Sequence, residues 1–248
     1  MNPAEFANIA RSEETLWWYR GMKQILFRLL DPISRERRFH RVLEGGCGTG
    51  YLSKVLAERY GWRMHPVDLG WDGLAYGRQM GIPRLAQADI SRLPFTDGAF
   101  DMVLSMDVLV HFPLGLETGA IQELTRTLAS GGYMALRVSA LDALRSRHSM
   151  FAEERQRFTR RRLIDSVEST GIEVVRCTYA NSLLLPVSVA KFRIWEPLLN
   201  KPPASGVEPL SPWLDRALYL PLALEAGWIG AGLNFPLGQS LVLIGRKK

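Results

Sequence analysis

Two cysteines, Cys47 and Cys177, and four histidines in 248 residues leave little room for a disulfide framework or a cysteine-based metal centre. Both cysteines read as small buried residues, and no metal site is expected. Low-complexity tracts are absent, and so is an unbroken apolar run. The longest uncharged stretch, Ala226 to Gly245, is long enough on count to span a bilayer, but it holds Gly227, Gly230, Gly232, Asn234, Pro236, Gly238, Gln239 and Ser240. A turn followed by a buried strand accounts for it better. The first residues carry Glu5 and Arg11 and lack the apolar core of a signal peptide, so a cytoplasmic location is expected. Basic clusters at Arg35, Arg37 and Arg38 and from Arg155 to Arg162 contribute to a net charge of +6. No known binding module accompanies either cluster, which reads as solvated helix faces and argues against a nucleic-acid surface.

What is present is a chain that is 47% hydrophobic and long enough for one large domain, or one domain with a substantial cap. Its organising stretch is Val42-Leu43-Glu44-Gly45-Gly46-Cys47-Gly48-Thr49-Gly50. An apolar strand reaches an acid, then glycines at alternate positions turn the chain sharply and open a helix. A dinucleotide fingerprint requires a glycine three places after Gly48, where Tyr51 stands, so a pyrophosphate site is disfavoured.

Strands and helices then alternate, which calls for an α/β fold with a parallel sheet. Tyr51 to Tyr60 is a helix stopped by Gly61, and Trp62 to Val67 a strand ending at Asp68. Gly73 to Met80 is a short helix, and Pro83 to Ala88 a third strand ending at Asp89. An Asp97-Gly98 turn precedes a buried strand from Phe100 to Ser105, which runs into Met106 and Asp107. Glu117 to Ala129 is an amphipathic helix ended by Gly131 and Gly132, Tyr133 to Val138 a fifth strand, and Ile172 to Tyr179 a sixth after a helix closing at Gly171.

Both ends read as helical additions. Ser12 is placed as the N-cap of a helix to Leu30 that Asp31-Pro32 ends, with Trp17, Trp18 and Tyr19 in a row at its centre. Those rings either anchor the helix or close over a cleft. Asn181 to Asn200 and Leu214 to Trp228 suit cap helices, separated by a proline-rich loop from Lys201 to Pro212. Pro236 to Arg246 is the last strand.

The glycine turn, the acids at the next two strand ends and the run Leu93-Pro94-Phe95, Asp97-Gly98, Phe100-Asp101 together resemble the class I S-adenosylmethionine-dependent methyltransferases, in their small-molecule, type 11-like branch. The resemblance implies a Rossmann-like doubly wound sheet, mostly parallel with an antiparallel last strand. Residues 1–36 would be an N-terminal helical lid on a domain of residues 37–248, within which 183–235 form a helical cap. S-adenosylmethionine is the implied cofactor. The residues implied to hold it are Tyr19, Arg20, Glu44, Gly46, Cys47, Gly48, Gly50, Asp68, Leu69, Asp89, Ile90, Met106 and His111. Within that set Asp68 takes the ribose hydroxyls, Asp89 the adenine amino group, and Leu69 and Ile90 the two faces of the ring.

Methyl transfer from a sulfonium is a displacement in which positioning does most of the work, and an acceptor carrying a proton also needs a base. His111 and His148 are the candidates, with Asp107 and Tyr19 behind them. Asp107 and His111 would share a helix face one turn apart; the plainer alternative makes Asp107 a cap and His111 a packed side chain. Relatives sharing the tryptophan pair carry Asp where Ser149 stands and His where Glu154 stands, departures that bear on the acceptor. Neither an Asn/Asp-Pro-Pro-aromatic step nor a Pro-Cys nucleophile is present, so the expected partner is a small, partly hydrophobic molecule and not nucleic acid. Oxygen, nitrogen and carbon acceptors stay open, as does oligomeric state. The rival readings are a non-transferring protein of the same fold, such as a cyclase, and a methyltransferase that reaches a membrane lipid through residues 183–228.

Overall fold

Val42 and Leu43 are both fully buried, yet they belong to different cores, because successive side chains of a strand point to opposite faces. The strand they form, β1 (Arg41–Gly45), is an interior strand of a seven-stranded sheet in the computed structural model, which describes residues 2–199, 202–207 and 210–248. The other strands are β2 (Arg63–Asp68), β3 (Ala86–Gln87), β4 (Phe100–Met106), β5 (Leu128–Ser139), β6 (Ile172–Ala180) and β7 (Ser240–Lys247). Their order across the sheet is β3-β2-β1-β4-β5-β7-β6. The first five run parallel, and β7 inserts antiparallel between β5 and β6. The fold is the expected Rossmann-like one.

Ten helices flank the sheet among the described residues. They are α1 (Pro3–Ser12), α2 (Trp17–Glu36), α3 (Tyr51–Tyr60), α4 (Trp71–Gln79), α5 (Glu117–Thr127), α6 (Arg147–Phe151), α7 (Arg160–Glu168), α8 (Leu185–Val189), α9 (Glu196–Leu199) and α10 (Pro212–Gly230). A π-helical stretch, Ala190–Trp195, joins α8 to α9. One core packs Leu43 and Val103 with Ile121, Leu124 and Leu163 from α5 and α7. The other packs Val42 and Met102 with Ile25, Leu29, Leu56, Leu222 and Ile229 from α2, α3 and α10.

Several local expectations are corrected. Ser12 ends α1 instead of capping the next helix, and α2 starts at Trp17, whose N–H donates to Asp215 of α10 at 2.7 Å. The cap is thus supplied across the fold. Asp31-Pro32 does not end α2. Pro32 lies inside it, at a cost of about 3 kcal/mol for an interior proline, while burial of Leu29 and Leu30 and packing of Ile33 favour continuing to Glu36. The helix α5 stops at Thr127, and β5 begins at once, so Gly131 and Gly132 lie within the strand. The third strand shrinks to two residues. Asn200, Lys201, Glu208 and Pro209, part of the expected cap helix and proline loop, lie outside the described residues, as does Met1.

Candidate functional site

The turn after β1 is built by backbone that only glycine adopts easily. Gly46 and Gly48 have φ of 77° and 57°, and a Cβ on Gly46 would sit 2.2 Å from a methyl of Val108. Gly46 and Cys47 donate to the Val67 carbonyl at 2.8 and 2.9 Å, which locks the turn onto the end of β2. There Asp68 accepts from the N–H of Gly48 through one oxygen and from Gly70 through the other, each at 2.7 Å. Burial raises its pKa, and those two hydrogen bonds oppose the rise. A carboxylate has about four acceptor sites, so roughly two stay available to a ligand.

Leu69, Asp89, Ile90 and Met106 line the same cavity as Gly46, Cys47, Gly48 and Asp68. Glu44 lies behind the turn, fully buried, accepting from the Ser53 hydroxyl; burial pushes its pKa up to about 8. Cys47 also has its thiol pKa pushed well up by burial, which removes it as a nucleophile. Gly50 does not line the cavity; it caps α3 in a left-handed conformation against Ile82.

The opposite wall comes from the N-terminal helices. The Phe6 ring of α1 packs over Gly48, Gly70 and Gly73, where a Cβ would meet it at 3.8, 2.9 and 2.7 Å. Glu13 accepts from the Thr49 hydroxyl at 2.5 Å, and its burial lifts its pKa to about 7. Tyr19 lines the cavity, and burial holds its hydroxyl firmly protonated. Trp18 meets Tyr19 edge-on at 5.0 Å and carries the Arg137 guanidinium over its own ring, also at 5.0 Å. Arg20 is placed elsewhere: it pairs with Asp215, covers the Tyr219 ring at 4.4 Å, and is not among the cavity-lining side chains.

Asp107 and His111 do not share a helix face. Asp107 precedes a short 3-10 turn, Leu109–His111, with a φ of 60°, and both Nε and a terminal nitrogen of Arg137 donate to it, at 2.9 and 2.6 Å. Its partner is a strand arginine, so it does not orient the histidine. The two histidines differ in a way that matters for proton transfer. His111 Nδ1 lies 3.2 Å from the Glu153 carbonyl, which can only accept, so Nδ1 carries the proton and Nε2 is left with a lone pair. His148 Nδ1 accepts from the Gly206 N–H at 3.1 Å, which in the neutral ring puts the proton on Nε2. Burial lowers both pKa values, so both rings are neutral at pH 7.

Gly50 and Arg20 apart, the residues expected at the site meet in one cavity of about 900 Å³. It runs from the glycine turn to Tyr19, Asp107, His111 and His148, and on to Phe192 and Glu196 of the cap. Four residues that sequence reasoning passed over stand in its wall: Glu5, Phe6, Glu13 and Arg137. Arg137 had a visible signal, as the one charge in the apolar strand Tyr133 to Val138. Among the described residues, no group of three or more His, Cys, Asp and Glu is arranged to hold a metal ion.

Residues 43–136 match the family described as "Methyltransferase domain". Over those residues the chain carries a methyltransferase domain. The seven-stranded sheet and the acids at its strand ends support the expected resemblance to the class I S-adenosylmethionine-dependent enzymes. The malonyl-[acyl-carrier protein] O-methyltransferase of Enterobacter lignolyticus (strain SCF1) is 38% identical over 109 residues, 44% of this chain and 42% of that protein. The 2-methyl-6-phytyl-1,4-hydroquinone methyltransferase of Synechocystis sp. is 29% identical over 99 residues, 38% of this chain and 30% of that protein. The chain thus spans less than half the length of either relative. A solved S-adenosylmethionine-dependent methyltransferase from Archaeoglobus fulgidus shares the fold, with a TM-score of 0.60 at 17% identity, covering 95% of this chain and 97% of the other.

Proposed function

We propose that this methyltransferase domain moves a methyl group from S-adenosylmethionine to an oxygen, nitrogen or carbon of a small, partly hydrophobic acceptor. The observation that carries the reading is the cavity. At about 900 Å³ it lies at the upper end of the roughly 300–1,000 Å³ that a single small-molecule site occupies, and it continues beyond the glycine turn to a second group of polar side chains. That leaves room for two ligands. The two relatives act, by name, on a malonyl-[acyl-carrier protein] and on a phytyl hydroquinone, so likeness to them does not favour one acceptor.

The residues present fit the cofactor. Asp68 has acceptor sites to spare for hydroxyl donors, the exposed Asp89 lines the cavity as do Leu69 and Ile90, and the glycine turn lets backbone approach closely. When bound, S-adenosylmethionine supplies a methyl on a sulfonium centre. The chain's part is then to position the acceptor, exclude water and take a proton where the acceptor carries one. His111 is suited to the last task because its free nitrogen is an acceptor. His148 and Tyr19, each holding its proton, are suited to donating hydrogen bonds to the acceptor. Arg137 and Asp107 neutralise each other and fix that part of the wall.

The test is isothermal titration of wild type and Asp68→Ala with S-adenosylmethionine and S-adenosylhomocysteine. Wild type is expected to bind both. Loss of a charge-assisted hydrogen bond to a ligand, contributing about 1.5–3 kcal/mol, should weaken the variant by roughly tenfold to a hundredfold or more. Failure of the folded wild type to bind either ligand would reject the reading.

A further inference from the structure

The cap presents an apolar surface that the domain itself does not cover. On α10, Trp213, Leu220 and Leu224 recur at helical spacing and stand 61–71% exposed, and Trp228 continues the stripe. In the segment from α8 to α9, Ile194, Trp195 and Leu198 are 58–77% exposed. Exposed tryptophans and leucines in such number mark an interaction surface. The opposite side of α10 is satisfied, with Leu222, Ala226 and Ile229 buried against α2 and the sheet.

The charges around this surface are sorted by sign. The described acids of the segment all turn inward to partners: Glu196 accepts from the Arg147 N–H at 2.9 Å, Asp215 from Trp17, and Glu225 from the N–H groups of Ser182 and Leu183, both at 2.7 Å. The bases Arg193 and Arg216 are exposed and do not line the cavity. Arg216 lies on the same stripe as Trp213 and Leu220. The outer surface is therefore apolar with a positive margin. A second copy of the chain would meet like charge on a self-complementary contact, which disfavours it. An anionic bilayer matches both features: tryptophans suit the headgroup region, leucines the acyl boundary, and Lys/Arg the negative surface potential.

We propose that the cap docks on the surface of an anionic lipid bilayer through α10 and the α8–α9 segment, lying on the membrane without crossing it. No described helix is long and apolar enough to span one. The inner sides of the same elements, at Val187, Phe192 and Leu218, line the cavity, so docking would turn its cap end toward the bilayer. The proposal stands apart from the methyl-transfer reading, because cofactor titration can succeed or fail whether or not the chain binds vesicles.

The test is flotation of the full chain with phosphatidylcholine vesicles that contain or lack phosphatidylglycerol. The chain should float with the anionic vesicles and be released by salt. Trp213→Ser combined with Leu220→Ser and Leu224→Ser should abolish flotation. Arg193→Gln combined with Arg216→Gln should lower partitioning at low salt by roughly 25-fold, about fivefold for each basic residue near the surface. Because all five side chains are exposed, each variant should keep its melting temperature and its affinity for S-adenosylhomocysteine. Absence of flotation with anionic vesicles at low salt overturns the proposal. So does flotation that neither set of substitutions reduces. A dimer by light scattering that the triple substitution dissolves, in a chain that does not float, overturns it in favour of a second copy. Vesicle-free capture of a protein through the same side chains, without flotation, overturns it in favour of a protein partner.

Discussion

Glu44 and Glu13 hold protons in the folded chain up to pH values of about 8 and 7, against 4.5 for an ordinary glutamate, because burial penalises their charged forms. Between pH 4.5 and those values the folded state binds more protons than the unfolded one, so stability is lost as pH rises through that window. Below it the contribution is fully present. His111 and His148, with lowered pKa values, work in the opposite sense just below pH 6.5, so the acids are isolated by substitution. Glu44→Gln keeps the shape and a partner for Ser53 but removes the ionisation. Its melting temperature should fall less than that of wild type between pH 5 and pH 8, the difference corresponding to a few kcal/mol on the order of 1.4 per pKa unit. Equal slopes for both proteins would show that Glu44 does not titrate in that range. The histidines are separable in the same way. With an acceptor that loses a proton, His111→Ala should lower kcat by about a hundredfold or more, the usual scale of general-base catalysis, whereas His148→Ala should act mainly on KM. Losses under about tenfold in both would remove histidine from the reaction. Asp68 was legible in the sequence because it ends β2, and Asp89 because it closely follows the short β3, signals contained in a few consecutive residues. Glu13 was not, since its partner Thr49 lies 36 positions away, and for Arg137 the lone strand charge was visible but its pairing with Asp107, 30 positions away, was not. Only the fold brings them together.

At the scale of elements, strand and helix order followed from hydrophobic periodicity, while boundaries moved wherever a distant element intervened. The start of α2 is fixed by Asp215 from α10, and its passage through Pro32 by the core beneath it. Neither can be read within a local window. The same pair of helices sets a testable constraint. Gly21 of α2 faces Leu222 of α10 so closely that a Cβ would lie 2.4–2.5 Å from two of its carbons, one of them the rigid Leu222 Cβ. Gly21→Ala gains about 0.5–1 kcal/mol of helix preference but forces the helices apart, and overpacking costs roughly 1–3 kcal/mol. The net expectation is destabilisation of about 1–2 kcal/mol, a fall in melting temperature of roughly 2–8 °C for a chain of this size. Affinity for S-adenosylhomocysteine should stay within about twofold, since neither residue lines the cavity. An unchanged or raised melting temperature would mean that the α2–α10 contact is loose.

For the whole molecule, the N-terminal helices and the cap, written in sequence as two separate additions, meet over one cavity. Ser205 donates to Glu5 at 3.0 Å, Ser12 to the Val207 carbonyl at 3.4 Å, and Gly206 to His148 at 3.1 Å. These bonds tie α1, α6 and the strap at residues 202–207 into a roof, with Phe6 reaching from it to the glycine turn. Exchange of a ligand under such a roof requires it to open, while the sheet below stays formed. Hydrogen exchange distinguishes the two layers. On binding S-adenosylhomocysteine, the amides of α1 and of residues 202–207 should exchange more slowly, because the closed roof gains the ligand's contacts, whereas those of β4 and β5 should not change. Phe6→Ala should reduce the protection of α1 and speed ligand release, leaving the strands as they were. If calorimetry detects binding while α1 exchanges at the same rate with and without ligand, the N-terminal helices are a fixed wall, and the ligand must enter from the cap side, past Phe192 and Leu218.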